Sequence, residues 1–377
     1  MKLALSCSGL SHVRRGVETW SQEAFDALRR RGVDVTLFKG SGANRAAGVH
    51  VLPCIARGSR LSDRLNRVLP AWSWRVGFGS AYQTEQTTFA LNLLPRARRF
   101  DLVHTKDPQV AAILQAARKA GLSRAKVILN HGTEEPPDFL SRFDYVQHLA
   151  PFHLEEARRQ GVASRRQFVV PNFVDTETFH PGGGAAVRAR LGIPQEAFVM
   201  LCVAAIKRHH KRIDYLLTEA AGIPSSEGQP VHVLVAGART GDTDGLAQMG
   251  AEQLGRRAHF LVDHPREQMP ELYRAADLFV LCSFKEMLAN ATLEALASGV
   301  PCLMHQEPVA RWAIGEGGET VDMQRPGALA SAIVRYRQAE ARAAASGRAR
   351  RQAEAQFATD VVMAQQVAMY REVLDDR

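Results

Sequence analysis

Cysteine is scarce in this sequence: there are five in 377 residues, and no two form a C-x-x-C pair. That leaves no basis for a disulfide framework or a thiolate zinc site. Cys7, Cys54, Cys202, Cys282 and Cys302 are odd in number and widely spaced. Four of them lie in or beside apolar runs, so buried free thiols are expected. Long apolar runs are missing as well. The longest, Ala197–Ile206, is ten residues, against the roughly 18–20 that a membrane-spanning helix needs. The opening MKLALSCSGL is too short for the core of a signal peptide, and His12, Arg14 and Arg15 soon interrupt it. A cytoplasmic protein is expected. With 46% apolar residues the chain is ordinary for a packed protein, and its length suggests two domains.

The net charge of +9 is unevenly distributed. Residues 1–170 hold 26 Lys+Arg against 14 Asp+Glu, whereas residues 171–377 hold 22 against 25. The positive excess therefore belongs to the first half. A basic half suits an anionic partner, which could be nucleic acid, an acidic membrane surface or a phosphorylated substrate.

Hydrophobic periodicity predicts alternating strands and helices. In the first half, strands are expected at Lys2–Cys7, Val33–Phe38, Val49–Cys54, Asp101–Thr105, Lys126–Asn130, Tyr145–Leu149 and Gln167–Val170, with a helix from Gly16 to Arg31. A second series is expected at Phe198–Ala205, Val231–Ala236, His259–Val262, Leu278–Ser283 and Pro301–His305. Pro171, Pro181, Gly182–Gly184 and Pro194 mark a linker between them. This alternation predicts two α/β domains, each a parallel sheet covered by helices, with ligands in a cleft at the facing strand ends. The stretch 55–99 stands apart, with Arg57, Arg60, Arg64, Arg67, Arg75, Arg96, Arg98 and Arg99 against only Asp63 and Glu85, and with Trp72 and Trp74 among them. It reads as an interfacial membrane or lipid-acceptor surface, or as an exposed helical insertion with two docked tryptophans.

Chemistry concentrates in SFKEMLANATLEALASGVP, residues 283–301, which follows a strand and enters a helix. Asn290 is the expected N-cap, with Glu286 in the loop before the helix and Glu294 in its first turns. A helix N-terminus beside carboxylates offers amides for phosphate and acceptors for sugar hydroxyls. Two glutamates alone could equally be a solvated face. Lys207-Arg208-His209-His210-Lys211-Arg212 follows the second series' first strand and offers fixed positive charge. It could also be a plain exposed basic helix start.

Seven residues separate Glu286 from Glu294 in a segment that ends E-A-L-A-S-G-V-P. This pattern resembles the E-x7-E signature of the retaining GT-B glycosyltransferases of family 4 (glycosyl transferases group 1). Four further segments resemble the family in the same order. They are Arg15-Gly16-Val17-Glu18-Thr19; Asn130-His131-Gly132; Val170-Pro171-Asn172-Phe173-Val174-Asp175 with Phe179 and Pro181; and Tyr273 with Ala275-Ala276-Asp277-Leu278-Phe279-Val280. The resemblance runs along nearly the whole chain.

It implies a GT-B fold of two Rossmann-like doubly wound domains facing across a cleft. The N-terminal acceptor-side domain would span 1–170 and the nucleotide-sugar domain 171–357, with a C-terminal helix in 358–377 packing back on the first. It also implies transfer of a sugar from a nucleoside diphosphate sugar to a hydroxyl with retention, in cell-envelope polysaccharide, lipopolysaccharide or glycolipid synthesis. By the same resemblance Glu286 contacts the donor sugar and Glu294 the ribose. The amides of Leu288, Ala289, Asn290 and Ala291 meet the sugar and diphosphate, and Lys211 stabilises the diphosphate. The family arginine that would accompany Lys211 falls on Ile206, so Lys207 or Arg208 must substitute. Met287 stands where the family has glycine. Gly16 permits close backbone approach. Arg15, in place of another family glycine, either offers a guanidinium to an anion or points to solvent. His131 either hydrogen-bonds a substrate oxygen or is structural.

Two lookalikes are set aside. Asp242-Thr243-Asp244 spells a metal-binding D-x-D but sits in a polar loop, and the family generally works without a bound metal. Gly182–Gly184 follows no strand and is not a dinucleotide loop. The expected partners are therefore a nucleoside diphosphate sugar and a sugar or glycolipid acceptor of anionic character. Contact with the inner membrane face would run through 55–99, and no metal, cofactor or nucleic acid is expected. The other readings are an epimerase or phosphorylase on the same fold, a non-catalytic binding subunit, and a nucleic-acid binder resting on charge alone.

Overall fold

Residues 1–13, 16–43, 47–223 and 229–376 are described by a computed structural model of the chain. Arg14 and Arg15 lie outside them. The chain divides into two units, Met1–Pro171 with Val362–Arg377 and Asn172–Val361.

The first unit is built on seven strands: β1 (Lys2–Cys7), β2 (Asp34–Lys39), β3 (Val49–Val51), β4 (Leu102–Thr105), β5 (Lys126–His131), β6 (Tyr145–His148) and β7 (Arg166–Val169). They pair in the order β3-β2-β1-β4-β5-β6-β7, every pair parallel. The second unit holds β8 (Phe198–Val203), β9 (Val231–Gly237), β10 (Ala258–Val262), β11 (Leu278–Leu281), β12 (Cys302–His305) and β13 (Gly318–Val321). Their order is β10-β9-β8-β11-β12-β13, again parallel throughout. Helices cover both faces of such sheets, which is why the inner strands are continuous apolar runs such as Phe198–Cys202, all buried. In each sheet the strand order reverses once, between β1 and β4 and between β8 and β11. Loops leaving the carboxyl ends of those strands are where such sheets hold ligands.

The structure adjusts the expected elements at definite places. β13 lies beyond the expected strands: it is a four-residue edge strand that opens on Gly318 and is only half-buried, so it carries no apolar signature. The expected linker contains a short helix, Ala185–Arg190, whose Arg188 bonds Asp277 Oδ2 at 2.8 Å. The stretch 55–99 is not uniformly exposed. Its second half, the helix Ala81–Ala97, buries Glu85, Gln86, Phe89 and Leu93 against the first unit's core.

The C-terminal helix Thr359–Asp375 ends in the first unit. There Tyr370 Oη lies 2.8 Å from His104 Nδ1, and Lys126 Nζ donates to the carbonyls of Val373, Leu374 and Asp376. An ammonium on the last carbonyls satisfies acceptors that the helix end leaves open and complements its dipole. All five cysteines are free thiols, four of them buried.

Candidate functional site

In the second unit the loops after β8 and β11, the two strands at the reversal point, are stitched together by three consecutive residues. His210 Nε2 lies 3.0 Å from the Lys285 carbonyl, and Lys211 Nζ pairs with Glu286 Oε1. Arg212 donates to the carbonyls of Cys282 and Met323. Its guanidinium lies 3.9 Å from the ring centre of Phe284 and 4.1 Å from that of Tyr215. His210 and Arg212 both adopt left-handed backbone conformations, with φ of 70° and 51°. Such conformations cost of order 1 kcal/mol each in non-glycine residues, and the bonds and stacking on either side hold them in place. Alternating side chains in this turn send Arg212 into the structure and Lys211 to the carboxylate of Glu286. Arg212 is thus a half-buried strut, and the cluster is more than an exposed basic helix start.

The family arginine is missing, and the structure separates its two candidate replacements. Arg208 is engaged elsewhere: its backbone N–H donates to Asp242 at 3.0 Å and its guanidinium lies 3.7 Å from Asp214. Lys207 makes no side-chain hydrogen bond or ion pair among the described residues. In the D-x-D segment, Asp242 accepts from the Arg208 backbone N–H at 3.0 Å and Asp244 pairs with Arg239 at 2.7 Å. Among the described residues no group of three or more His, Cys, Asp or Glu is placed to hold a metal ion.

After β11 the chain enters the helix Asn290–Ala297. The expected cap is off by one: Ala289, extended at ψ 121°, is the N-cap, and Asn290 is the first helical residue. The first bond back runs from Thr292 N to Ala289 O at 3.0 Å. The amides of Leu288 to Ala291 thus fall where a helix start has no intrahelical partners to offer. Asn172, from the P-N-x-V-D segment, fixes this loop by donating to the Leu288 carbonyl at 3.0 Å. Glu286, Leu288, Ala289, Thr292, Met304 and Glu307 line a small pocket there.

Glu294 is buried and held from two sides. Tyr273 Oη donates to its Oε2 at 2.8 Å, and Arg266 pairs with its Oε1. Burial and the Glu294 charge push the Tyr273 hydroxyl well above its ordinary pKa, so it remains a donor. A carboxylate oxygen accepts more than one bond, so these contacts orient Glu294 and leave lone pairs for a ligand. Sequence reasoning missed Arg266, which stacks 5.0 Å from the Phe179 ring centre, because it belongs to no motif. The other missed residue is Glu307, which accepts from the amides of Val309 and Ala310 and is raised in pKa by burial.

Gly16 and His131 lie in the first unit. Gly16 opens the helix that follows β1, and His131 ends β5. His131 faces His148 across the β5–β6 register, Nδ1 to Nδ1 at 3.1 Å. The next link fixes the protons. Gln167 donates its amide N–H to the Val162 carbonyl, so its Oε1 accepts from His148 Nε2 at 2.9 Å. Burial lowers the His148 pKa, so the ring is neutral and its Nδ1 is bare. His131 must then donate from Nδ1, and its neutral form carries the lone pair on Nε2. Replacing His148 with phenylalanine is expected to leave that N–H without its acceptor. A stability loss of about 1–3 kcal/mol should follow, with the His131 proton spread over both nitrogens. Imidazole ¹⁵N shifts report the tautomer; a wild-type His131 protonated at Nε2 would refute the assignment.

Comparison with solved structures places this architecture in the GT-B class of two Rossmann-like units. Sucrose-phosphate synthase from Thermosynechococcus elongatus superposes with a TM-score of 0.80 at 19% identity, over 100% of both chains. Anabaena HepE in complex with UDP and glucose gives 0.75 at 17% identity, over 99% of each. These identities establish the fold alone. Two family models then match in tandem, Glycosyltransferase Family 4 over residues 14–178 and Glycosyl transferases group 1 over 185–352. The chain belongs to glycosyltransferase family 4. Among curated relatives, the D-inositol 3-phosphate glycosyltransferase of Mycobacterium sp. (strain KMS) is 34% identical over 206 residues, which is 53% of this chain and 45% of that protein. The enzyme of the same name from Nocardia farcinica is 31% identical over 215 residues, 54% and 46% respectively. The matches therefore span about half the length of these relatives.

Proposed function

We propose that this protein transfers a sugar from a nucleoside diphosphate sugar to a hydroxyl of an anionic acceptor, with retention at the anomeric carbon. The observation that carries the reading is the Lys211–Glu286 pair at the strand-order reversal, beside a helix start and Lys207, which has no ion pair among the described residues. Glu286 accepts hydrogen bonds from donor-sugar hydroxyls, and Glu294, oriented by Tyr273 and Arg266, accepts from the ribose. The amides of Leu288 to Ala291 bind the sugar and diphosphate. As the bond from the anomeric carbon to the diphosphate oxygen breaks, negative charge grows on the phosphate. Lys211 and Lys207 meet that charge, and Arg208 serves the loop instead. The leaving phosphate takes the acceptor's proton on the face that the acceptor attacks, so no protein nucleophile and no metal is invoked.

The complex of Anabaena HepE with UDP-glucose supports a donor of this class. The relatives named for D-inositol 3-phosphate support an anionic acceptor, as does the basic excess of residues 1–170. Cell-envelope polysaccharide, lipopolysaccharide or glycolipid synthesis is the setting this reading implies. The test is a thermal-shift screen of UDP-, GDP-, ADP- and dTDP-sugars. At 100-fold above its dissociation constant the right donor adds about 2.7 kcal/mol, several degrees in Tm. If no nucleotide sugar shifts Tm at millimolar concentration, the donor assignment falls.

A further inference from the structure

The half of the Arg/Trp stretch that is not core, residues 60–76, leaves apolar side chains in water. The helix Arg60–Val68 buries only Ser62, and a tight turn, Ala71–Val76, follows it. Leu61 (54% exposed), Val68 (75%), Trp72 (60%), Trp74 (59%) and Val76 (54%) make up half of the large apolar residues exposed among the described ones. Neither tryptophan is docked, which corrects one of the two sequence readings. Leu61 and Val68, seven residues apart, share a helical face, and Arg60, Arg64 and Arg67 share the adjacent one. With Arg75 that makes four exposed arginines against Asp63.

The segment is rigidly rooted. At its start Arg57 binds buried Glu85 through Nη2 at 2.5 Å and Nε at 3.0 Å, and His12 Nε2 meets the same carboxylate at 2.7 Å. At its end Thr87 donates to the Gly77 carbonyl at 2.8 Å. Gly77 has φ of 83°, and a Cβ there would meet Thr87 Oγ1 at 2.3 Å, so only glycine closes the turn. The exposed face is thus tied to the core at both ends.

Tryptophan at the tip with arginine along the flank is the pairing that a bilayer interface accommodates: indoles sit among the headgroups, and guanidinium groups meet lipid phosphates. We propose that residues 60–76 form a docking surface for an anionic lipid bilayer, with Trp72 and Trp74 inserting at the headgroup level and Arg60, Arg64, Arg67 and Arg75 binding the charged surface. Charge selects this occupant, since four like charges around the apolar patch oppose its packing on a second copy of itself. Among the described residues no helix is long and apolar enough to cross a membrane, so the contact is peripheral.

The test is co-sedimentation of the full chain, without nucleotide sugar, with vesicles of phosphatidylglycerol and phosphatidylcholine (1:1) or of phosphatidylcholine alone. Binding is expected to the anionic vesicles only, with a blue shift of tryptophan emission, and about tenfold weaker in 0.5 M salt. The variants Trp72→Ser/Trp74→Ser and Arg64→Glu/Arg67→Glu should each bind at least tenfold more weakly at unchanged Tm. No binding by wild-type protein overturns the proposal, as does undiminished binding by both variants. So does a dimer in solution that the tryptophan variant dissolves, which would make the patch a contact between copies. Because no donor is present, failure here leaves the transferase reading untouched, and failure of the donor screen leaves this one standing.

Discussion

Replacing Lys211 with methionine is expected to lower turnover about 100- to 1,000-fold and to raise the donor KM far less. In the proposed reaction the ammonium acts on charge that exists mainly in the transition state, when the diphosphate leaves, so its loss should fall on kcat. A second effect accompanies the first. Lys211 and Glu286 are both mostly buried, and each is the other's counter-charge. Removing one leaves the other ionised without compensation, which is more damaging than removing both. Lys211→Met should therefore melt below wild type, and Lys211→Met/Glu286→Gln should recover much of that loss while staying inactive. Glu286→Gln alone keeps Lys211 for the phosphate but weakens acceptance of sugar hydroxyls, so its KM should rise together with a smaller fall in kcat. Steady-state kinetics and melting curves of the three variants separate these effects. A Lys211→Met enzyme within threefold of wild-type kcat would remove the lysine from the mechanism.

What could be read before folding was local. β8 is a continuous apolar run, Glu286 and Glu294 stand at fixed spacing, and the helix ending at Arg30 is closed by Gly32; each signal lies within a few residues. What could not be read depends on sheet order and register. His148 orients His131 only because β5 and β6 are neighbours with those residues opposite each other. Arg208 and Lys207 look equivalent in sequence, and Asp242, 34 positions away, distinguishes them. Arg266 reaches Glu294 across 28 positions from a loop with no pattern of its own. The Arg/Trp stretch was conspicuous, yet its composition did not reveal that Arg57 and Glu85 form a buried root while residues 60–76 remain in solvent. Composition identified the unusual segment, and packing divided it.

Lys106 yields the largest expected change in stability. It follows β4 and is almost wholly buried, its ammonium 4.3 Å from the ring centre of Trp20. Burial pushes its pKa from 10.5 down to about 7. The unfolded chain keeps the ordinary value, so between these two limits the unfolded state binds the extra proton and stability falls as pH falls. Stability is thus full above about pH 10.5, declines toward pH 7, and changes little below it. The depression corresponds to roughly 4–5 kcal/mol, from which the interactions that Lys106 makes in the folded chain, the Trp20 contact among them, must be subtracted. Lys106→Met keeps the aliphatic stem and removes the titration. At pH 7 it is expected to be more stable than wild type by about 2–4 kcal/mol, or roughly 5–10 °C in Tm. The advantage should shrink steadily between pH 7 and pH 10, as the folded wild-type protein ceases to lack a proton that the unfolded chain holds. Paired melting curves at pH 6, 7, 8, 9 and 10 measure this directly. An advantage that stays constant with pH would reflect packing alone. A variant less stable at pH 7 would mean that the folded protein holds Lys106 charged, its ammonium offset by carboxylates such as Glu18, which is buried on the helix that carries Trp20.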